Sequence, residues 1–211
     1  MKDFDQSVMT HIDFFNELAN IYKNARSTTW PTITRCANRV VYGLAEDLFG
    51  EYCYELLNNP KPGVFICPKL SLAKKSSPKS TVPDVVICKG SELCEMWDLK
   101  MDIGWHRKGL PTILHDHDAI AKAVIGTGTV QINGKQYIIS PDLRYNVLVI
   151  TLKNGGFNSF KVAKGLSLSN SEVFNIFDNT YHPNGGPITP TAAAIGQANM
   201  DLINKELRKL Y

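Results

Sequence analysis

Two adjacent apolar runs in residues 81–103 constrain the fold of this chain more than any other stretch. Residues 84–89 and 93–103 are rich in Val, Ile, Leu and Met, and Gly90-Ser91 lies between them. Apolar runs of this length, separated by turn residues, are typical of β-strands. The stretch therefore predicts two consecutive strands that are able to pair as an antiparallel hairpin.

Three ionisable side chains interrupt these two strands. Because side chains alternate between the faces of a strand, Asp98 and Lys100 point to the same side. Asp84 stands at the entrance of the first strand, and its carboxylate approaches that of Asp98 if the strands pair. Two ionised carboxylates at close range repel, so the arrangement predicts a cation between them. Carboxylate oxygens suit hard ions, and Mg²⁺ is the expected occupant, with Mn²⁺ as a substitute.

A cation at this position implies a hydrolytic chemistry. Such an ion lowers the pKa of bound water and stabilises charge that develops on a phosphodiester oxygen. Lys100 would lie near the attacking water and the scissile phosphate, where it orients or helps to deprotonate the nucleophile. The alternative is that Asp84 caps a turn while Asp98 and Lys100 form a surface ion pair.

The remaining sequence predicts helices around a central set of strands, which indicates an α/β (α+β) fold with a mixed sheet. Asn133-Gly134 between two alternating runs predicts a β-hairpin. We expect helices at residues 4–22, 31–56, from Asp116 or Asp118 to 125, 169–179 and 191–210, strands at 63–72, 127–132, 135–140 and 146–153, and loops at 155–165 and 181–190.

The order of these elements and motifs resembles the PD-(D/E)xK nuclease superfamily, whose fold is called restriction-endonuclease-like. Pro83-Asp84 is followed, fourteen positions after the aspartate, by Asp98-Leu99-Lys100, after a long helix and before a helix and a strand. The resemblance covers about residues 30–153 and implies a core of helix, three strands, helix and strand. Residues 1–28 would add an N-terminal helix to this single nuclease domain, and residues 154–211 a C-terminal helical extension.

The resemblance also implies roles for individual residues. Asp84 and Asp98 become metal ligands, the backbone carbonyl of Leu99 becomes a further ligand, and Lys100 becomes the catalytic lysine. Many members carry an acidic residue on the first core helix, and Glu46 is the expected one in this chain.

That helix offers two other acidic residues. Glu51 and Glu55 remain alternatives to Glu46, because all three lie near the edge of the apolar stripe of the predicted helix.

The function implied is a Mg²⁺-dependent endonuclease that hydrolyses DNA phosphodiester bonds and leaves a 5′-phosphate. A small type II restriction endonuclease is favoured, and cutting both strands with one site per chain predicts a homodimer. The first or the last helix is the expected interface. Alternatives are a repair, recombination or phage nuclease of the same fold, and a DNA-binding or assembly protein without catalysis.

Other stretches carry weaker candidates. The turn His106-Arg107-Lys108 follows the second strand directly and is predicted to hold the nucleic-acid backbone, or else to be a solvated turn. His115 to Asp118 has the composition of a metal site, but the expected role of its aspartates is to cap the following helix. The hairpin at Asn133-Gly134 either reads a DNA groove or simply extends the sheet.

Length and composition set outer limits. At 211 residues the chain can bury one core without disulfides, and the net charge of +3 permits a nucleic-acid partner without requiring one. The five cysteines form no Cys-x-x-Cys pair, which argues against a zinc ribbon and a disulfide framework.

The sequence has no Gly-rich nucleotide fingerprint or serine-hydrolase elbow, so no nucleotide cofactor is expected. An acidic N-terminus and the lack of an apolar run of about 18 residues predict a cytoplasmic protein.

Overall fold

The computed structural model describes residues 8–25, 39–58, 60–72, 81–103 and 109–209. Within these ranges the chain is an α/β protein with a mixed central sheet flanked by helices. The helices are α1 His11–Ala25, α2 Arg39–Leu56, α3 Gly109–Ile125, α4 Phe157–Lys164 and α5 Pro190–Arg208. The strands are β1 Gly63–Ile66, β2 Ser71–Leu72, β3 Val85–Lys89, β4 Glu92–Lys100, β5 Thr129–Ile132, β6 Lys135–Thr151 and β7 Val173–Phe177, and Pro183–Gly185 forms a short 3₁₀ turn.

The sheet runs in the order β1-β3-β4-β6-β5-β2, and β7 pairs with β6. β1, β3 and β4 are antiparallel neighbours, whereas β4 and β6 are parallel and are connected through α3. A parallel connection needs a crossover of about a dozen residues or more, which α3 supplies. β7 is also parallel to β6 and pairs with its last residues.

Apolar side chains from the two faces of the sheet enter separate cores. One face carries Trp97, Leu99 and neighbours on β3, which pack against α1, α2 and α5. The other face packs Met96 and the apolar residues of β6 against α3 and α4. The central strands β4 and β6 are therefore covered on both sides, which agrees with the continuous apolar run at residues 146–153.

Several predicted elements are confirmed with adjusted bounds. The first helix, predicted at 4–22, is α1, and the second, predicted at 31–56, is α2; residues 1–7 and 26–38 lie outside the described ranges. The run at 63–72 is split into β1 and β2, and the last helix is α5. At Asn133 and Gly134 the backbone has positive φ values of 49° and 78°, as a tight hairpin turn requires.

The prediction for α3 was wrong about its start. The helix begins at Gly109 rather than at an acidic cap, so Asp116 and Asp118 lie inside it. The apolar stripe that faces the sheet already includes Leu110 and Leu114, and Pro111 suits a first helical turn. The tertiary burial of that earlier turn outweighs the capping signal of the aspartates.

Three further predictions were wrong. Residues 135–151 form one long strand instead of two. The register of its pairing with β4 shifts between Ile139 and Arg144, so Pro141 lies in a bulge and does not end the strand. The predicted loop at 155–165 contains α4, and the predicted helix at 169–179 contains strand β7. β7 is a short run of Val, Phe and Ile, which buries both faces beside β6.

Among the described residues, no helix is both long and apolar enough to cross a membrane.

Candidate active site

The pairing of β3 with β4 brings Asp84 next to Asp98. Val85 lies opposite Trp97 in the antiparallel register, and the Asp84 N–H donates to the Trp97 carbonyl at 2.9 Å, which extends the ladder by one residue. Asp84 Oδ2 accepts a hydrogen bond of 2.6 Å from the Leu99 N–H, so its carboxyl group is turned towards β4. The strands are thus adjacent, and the two carboxyl groups lie at the same end and face.

Burial and charge act together on the Asp84 carboxyl. Desolvation and, after it, the negative charge of Asp98 raise its pKa from 3.8 to about 7, while the hydrogen bond from the Leu99 N–H opposes the change. A smaller contribution comes from Glu46. The protein therefore holds carboxyl groups together where their joint ionisation is unfavourable in the absence of a cation.

Asp98 lies in the second half of β4, where it is 7 % exposed and is contacted by two basic side chains. Lys100 Nζ lies 2.6 Å from Asp98 Oδ1. His117 Nε2 lies 3.6 Å from the other oxygen, Oδ2. Both side chains of the Asp98–Lys100 pair are mostly buried, so it is not the surface ion pair of the alternative interpretation.

Among the helix acids, Glu46 approaches the site. Its carboxylate, the Asp84 carboxylate and the Cys67 sulfur contribute ligand atoms that lie within 4.8 Å of one another. Glu51 is exposed, and the Glu55 carboxylate accepts a hydrogen bond from the Met9 N–H. The geometry therefore favours Glu46 over its two alternatives.

Cys67 is a neighbour that the sequence did not single out for this site. Its thiol donates to Glu46 Oε2 at 3.0 Å, and its backbone N–H donates to the Asp84 carbonyl at 2.8 Å. Partial desolvation raises the pKa of the thiol to about 12, together with the hydrogen bond and the charge of Glu46. Its φ of 46° is unusual for a residue other than glycine. No sequence signal at this position indicates such a conformation.

The sequence also missed His117 and Tyr145 as parts of the site. The His117 ring stacks on the Tyr145 ring with a centroid distance of 3.9 Å and an interplanar angle of 5°. Burial lowers the pKa of His117 to about 4, against the opposing effect of Asp98. Burial and the charges of Asp98 and Asp84 raise the pKa of Tyr145. The helical spacing of His117 with Leu114 and Ala121 would have placed it on the buried face of α3.

In the described part of the chain, the run from His115 to Asp118 does not contribute to a group of candidate metal ligands. His115 and Asp116 are exposed, whereas His117 is buried. Asp118 accepts hydrogen bonds from Lys122 Nζ at 2.6 Å and from the Asn170 N–H at 2.8 Å. The contact with Asn170 connects α3 to the segment before β7.

The described residues do not test the candidate contacts to nucleic acid. His106, Arg107 and Lys108 lie outside the described residues. The Asn133-Gly134 hairpin joins β5 to β6, and β5 in turn pairs with β2, so the hairpin extends the sheet.

The remaining cysteines in the described ranges behave as expected. Cys53, Cys88 and Cys94 are buried, whereas Cys67 is exposed.

Comparisons of this chain with protein-family models, with curated proteins and with solved structures give no match.

Proposed function

We propose that this chain is a Mg²⁺-dependent endonuclease that hydrolyses DNA phosphodiester bonds. The observation that carries the proposal is the pairing of Asp84 and Asp98 at one end of β3 and β4, with Lys100 on the same face as Asp98. An ordinary structural pair of strands has no need of two buried carboxyl groups in contact, because their ionisation opposes folding.

The topology supports a restriction-endonuclease-like core. Helix α2 is followed by β1, β3 and β4 as antiparallel neighbours, then by α3 and by β6, which is parallel to β4. This is the order of helix, three strands, helix and strand that the sequence motifs led us to expect. The two-residue β2, the strand β5 between α3 and β6, and the elements after β6 would be additions to that core.

The side chains fit a hard divalent cation. Asp84, Asp98 and Glu46 would hold it through carboxylate oxygens, and the carbonyl of Leu99 stays a predicted fourth ligand. The Cys67 thiol is a soft donor, so it is not expected to bind Mg²⁺. When bound, the ion supplies a water of lowered pKa and positive charge for the phosphate.

Lys100 and the carboxylates divide the remaining work. The Lys100 ammonium donates to Asp98 Oδ1, and with this oxygen bound to a divalent ion the ammonium would be available to the scissile phosphate or the attacking water. Its positive charge then offsets charge that builds up in the transition state. The two strands fix the positions of the carboxylates at one end of the sheet, and the carboxylates would thereby fix the position of the ion.

The wider parts of the proposal rest on the resemblance of the motifs. They are a DNA substrate, a type II restriction activity, a homodimer and a location in the cytoplasm. Discrete plasmid fragments would support restriction, whereas smears or cuts at junctions would favour repair or recombination. DNA binding without cleavage would support a non-catalytic DNA-binding or assembly protein.

A plasmid digest with a panel of metals tests the proposal. The wild-type protein is incubated with supercoiled plasmid in Mg²⁺, Mn²⁺, Ca²⁺ or EDTA, beside Lys100→Met. We expect cleavage in Mg²⁺ and Mn²⁺, none in EDTA, and a rate about a hundredfold lower for Lys100→Met.

A matched control is Lys153→Met, which removes an exposed lysine beyond the end of β6. This variant should cleave at the wild-type rate. Cleavage that persists in EDTA, or that is equal in both lysine variants, would contradict the proposed site.

A further inference from the structure

A buried histidine on helix α3 lies close to the proposed metal ligand Asp98 on β4. His117 lies on α3, and its Nε2 is 3.6 Å from Asp98 Oδ2, with both side chains 11 % exposed. This distance is longer than a hydrogen bond. Contacts of this kind often tighten when the ligand or substrate is bound.

The ring of His117 is held in one orientation by the sheet. It lies flat against Tyr145, which occupies β6 opposite Met96 of β4. Two residues further along β6, Val147 lies opposite Asp98, so Tyr145 and Asp98 lie on neighbouring strands two positions apart in register. The stack therefore fixes the plane in which Nε2 faces the carboxylate.

The surroundings of the other ring nitrogen do not explain why position 117 carries a histidine. His117 Nδ1 is buried and has no hydrogen-bond partner among the described residues. A buried polar atom without a partner costs about 1–3 kcal/mol, and an apolar ring of similar shape would avoid that penalty. Asp98 Oδ2 lies 3.6 Å from the other ring nitrogen, Nε2, and the charges of Lys100 and Asp116 also act on the imidazole.

We propose that His117 is a positioning residue that holds Asp98 Oδ2 and thereby leaves Oδ1 to the divalent cation. This inference rests on the proposed function, because it assigns a role to the same carboxylate. Lys100 lies beside Oδ1 and His117 beside Oδ2, so the two oxygens of Asp98 have different partners. Groups that orient a metal-binding side chain in this way commonly change metal affinity about 10–100-fold when they are replaced.

The test compares Mn²⁺ binding by calorimetry in the full-length wild-type protein and in substituted chains. His117→Phe keeps a ring against Tyr145 and removes the N–H, and we expect its dissociation constant for Mn²⁺ to rise about tenfold. His117→Gln keeps an N–H donor and should recover most of the affinity. His115→Phe, which changes an exposed histidine of the same helix, should bind as the wild type does.

A thermal or urea unfolding measurement separates positioning from packing. Because the unpartnered Nδ1 is lost, His117→Phe should be at least as stable as the wild type while it binds Mn²⁺ more weakly. If His117→Phe does not fold, His117→Leu serves in the same comparison.

Equal Mn²⁺ affinity in the wild type and in a folded His117→Phe or His117→Leu would overturn the positioning role, whatever happens to DNA cleavage. A wild type that binds Mn²⁺ without cutting DNA would overturn the proposed function, and weaker binding by His117→Phe would still support the positioning role. A wild type that binds no divalent ion would overturn both.

Discussion

Replacing Asp84 with asparagine is expected to stabilise the metal-free protein while it abolishes DNA cleavage. In the folded chain burial and Asp98 raise the pKa of Asp84 from 3.8 to about 7. The folded state therefore keeps a proton that the unfolded chain loses, and the free energy of unfolding falls as the pH rises through this window. Asparagine carries no charge, so the free energy of unfolding of the variant does not fall over this pH range for the same reason.

The expected size follows from that interval. Each pH unit between 3.8 and about 7 corresponds to about 1.36 kcal/mol, which gives about 4 kcal/mol in total. The Leu99 N–H, which donates to Asp84 Oδ2, loses a charged acceptor and keeps a neutral one, at a cost of about 1–2 kcal/mol. We expect a net gain of about 2 kcal/mol at pH 8 and none near pH 4.

Urea unfolding in EDTA at both pH values measures this difference. The control is Asp142→Asn, since Asp142 also follows a proline but is exposed, and its effect should stay within about 0.5 kcal/mol. An Asp84→Asn protein that is less stable than the wild type at pH 8 would refute the argument that these carboxyl groups oppose each other.

Two other predictions concern the body of the fold. Burial raises the pKa of Glu95 from 4.5 to about 8, so the free energy of unfolding should fall by about 1.4 kcal/mol per pH unit between those values. Glu95→Gln should remove this fall, which unfolding measurements across the pH range would detect. An unchanged dependence on pH in the variant would contradict the prediction. A methyl group on Gly196 would lie 2.8 Å from the Phe15 ring, so Gly196→Ala should destabilise the protein by about 1–3 kcal/mol in thermal unfolding. The helical Gly43 has open space around it, so Gly43→Ala should be neutral or stabilising by up to about 1 kcal/mol, and equal effects of both changes would refute the packing argument.

Local patterns were enough to predict the central pair of strands. Alternation along β4 places Asp98 and Lys100 on one face, and this depends only on the strand geometry. The pairing with β3 was predictable because two apolar runs flank a short turn, and an antiparallel register follows from that turn. The carboxyl group of Asp84 was thereby expected beside Asp98 without knowledge of any other element.

Groups that reach the site from distant parts of the chain were not predictable in the same way. His117 and Tyr145 come from α3 and β6, and their approach depends on the parallel crossover between β4 and β6. Cys67 depends on a backbone conformation with positive φ, which its residue type does not favour. Glu46 could not be separated from Glu51 or Glu55, because all three lie near the edge of one apolar stripe and only the placement of α2 distinguishes them.

The strand β7 shows a different limit of the sequence. Its five residues are apolar apart from one asparagine, and a run this short fits a buried strand or one turn and a half of helix equally well. The parallel partner that decides between them, the end of β6, lies more than twenty residues earlier in the chain.

The central claim is that the carboxylate of Asp98 binds the ion that makes this chain a nuclease. The most direct measurement is the initial rate of supercoiled-plasmid cleavage in Mg²⁺ by Asp98→Asn, beside Asp142→Asn as the matched change at an exposed position. The account predicts a rate at least about a hundredfold below wild type for Asp98→Asn and a wild-type rate for Asp142→Asn. Equal rates in the two variants, or no cleavage by the wild-type protein, would contradict it.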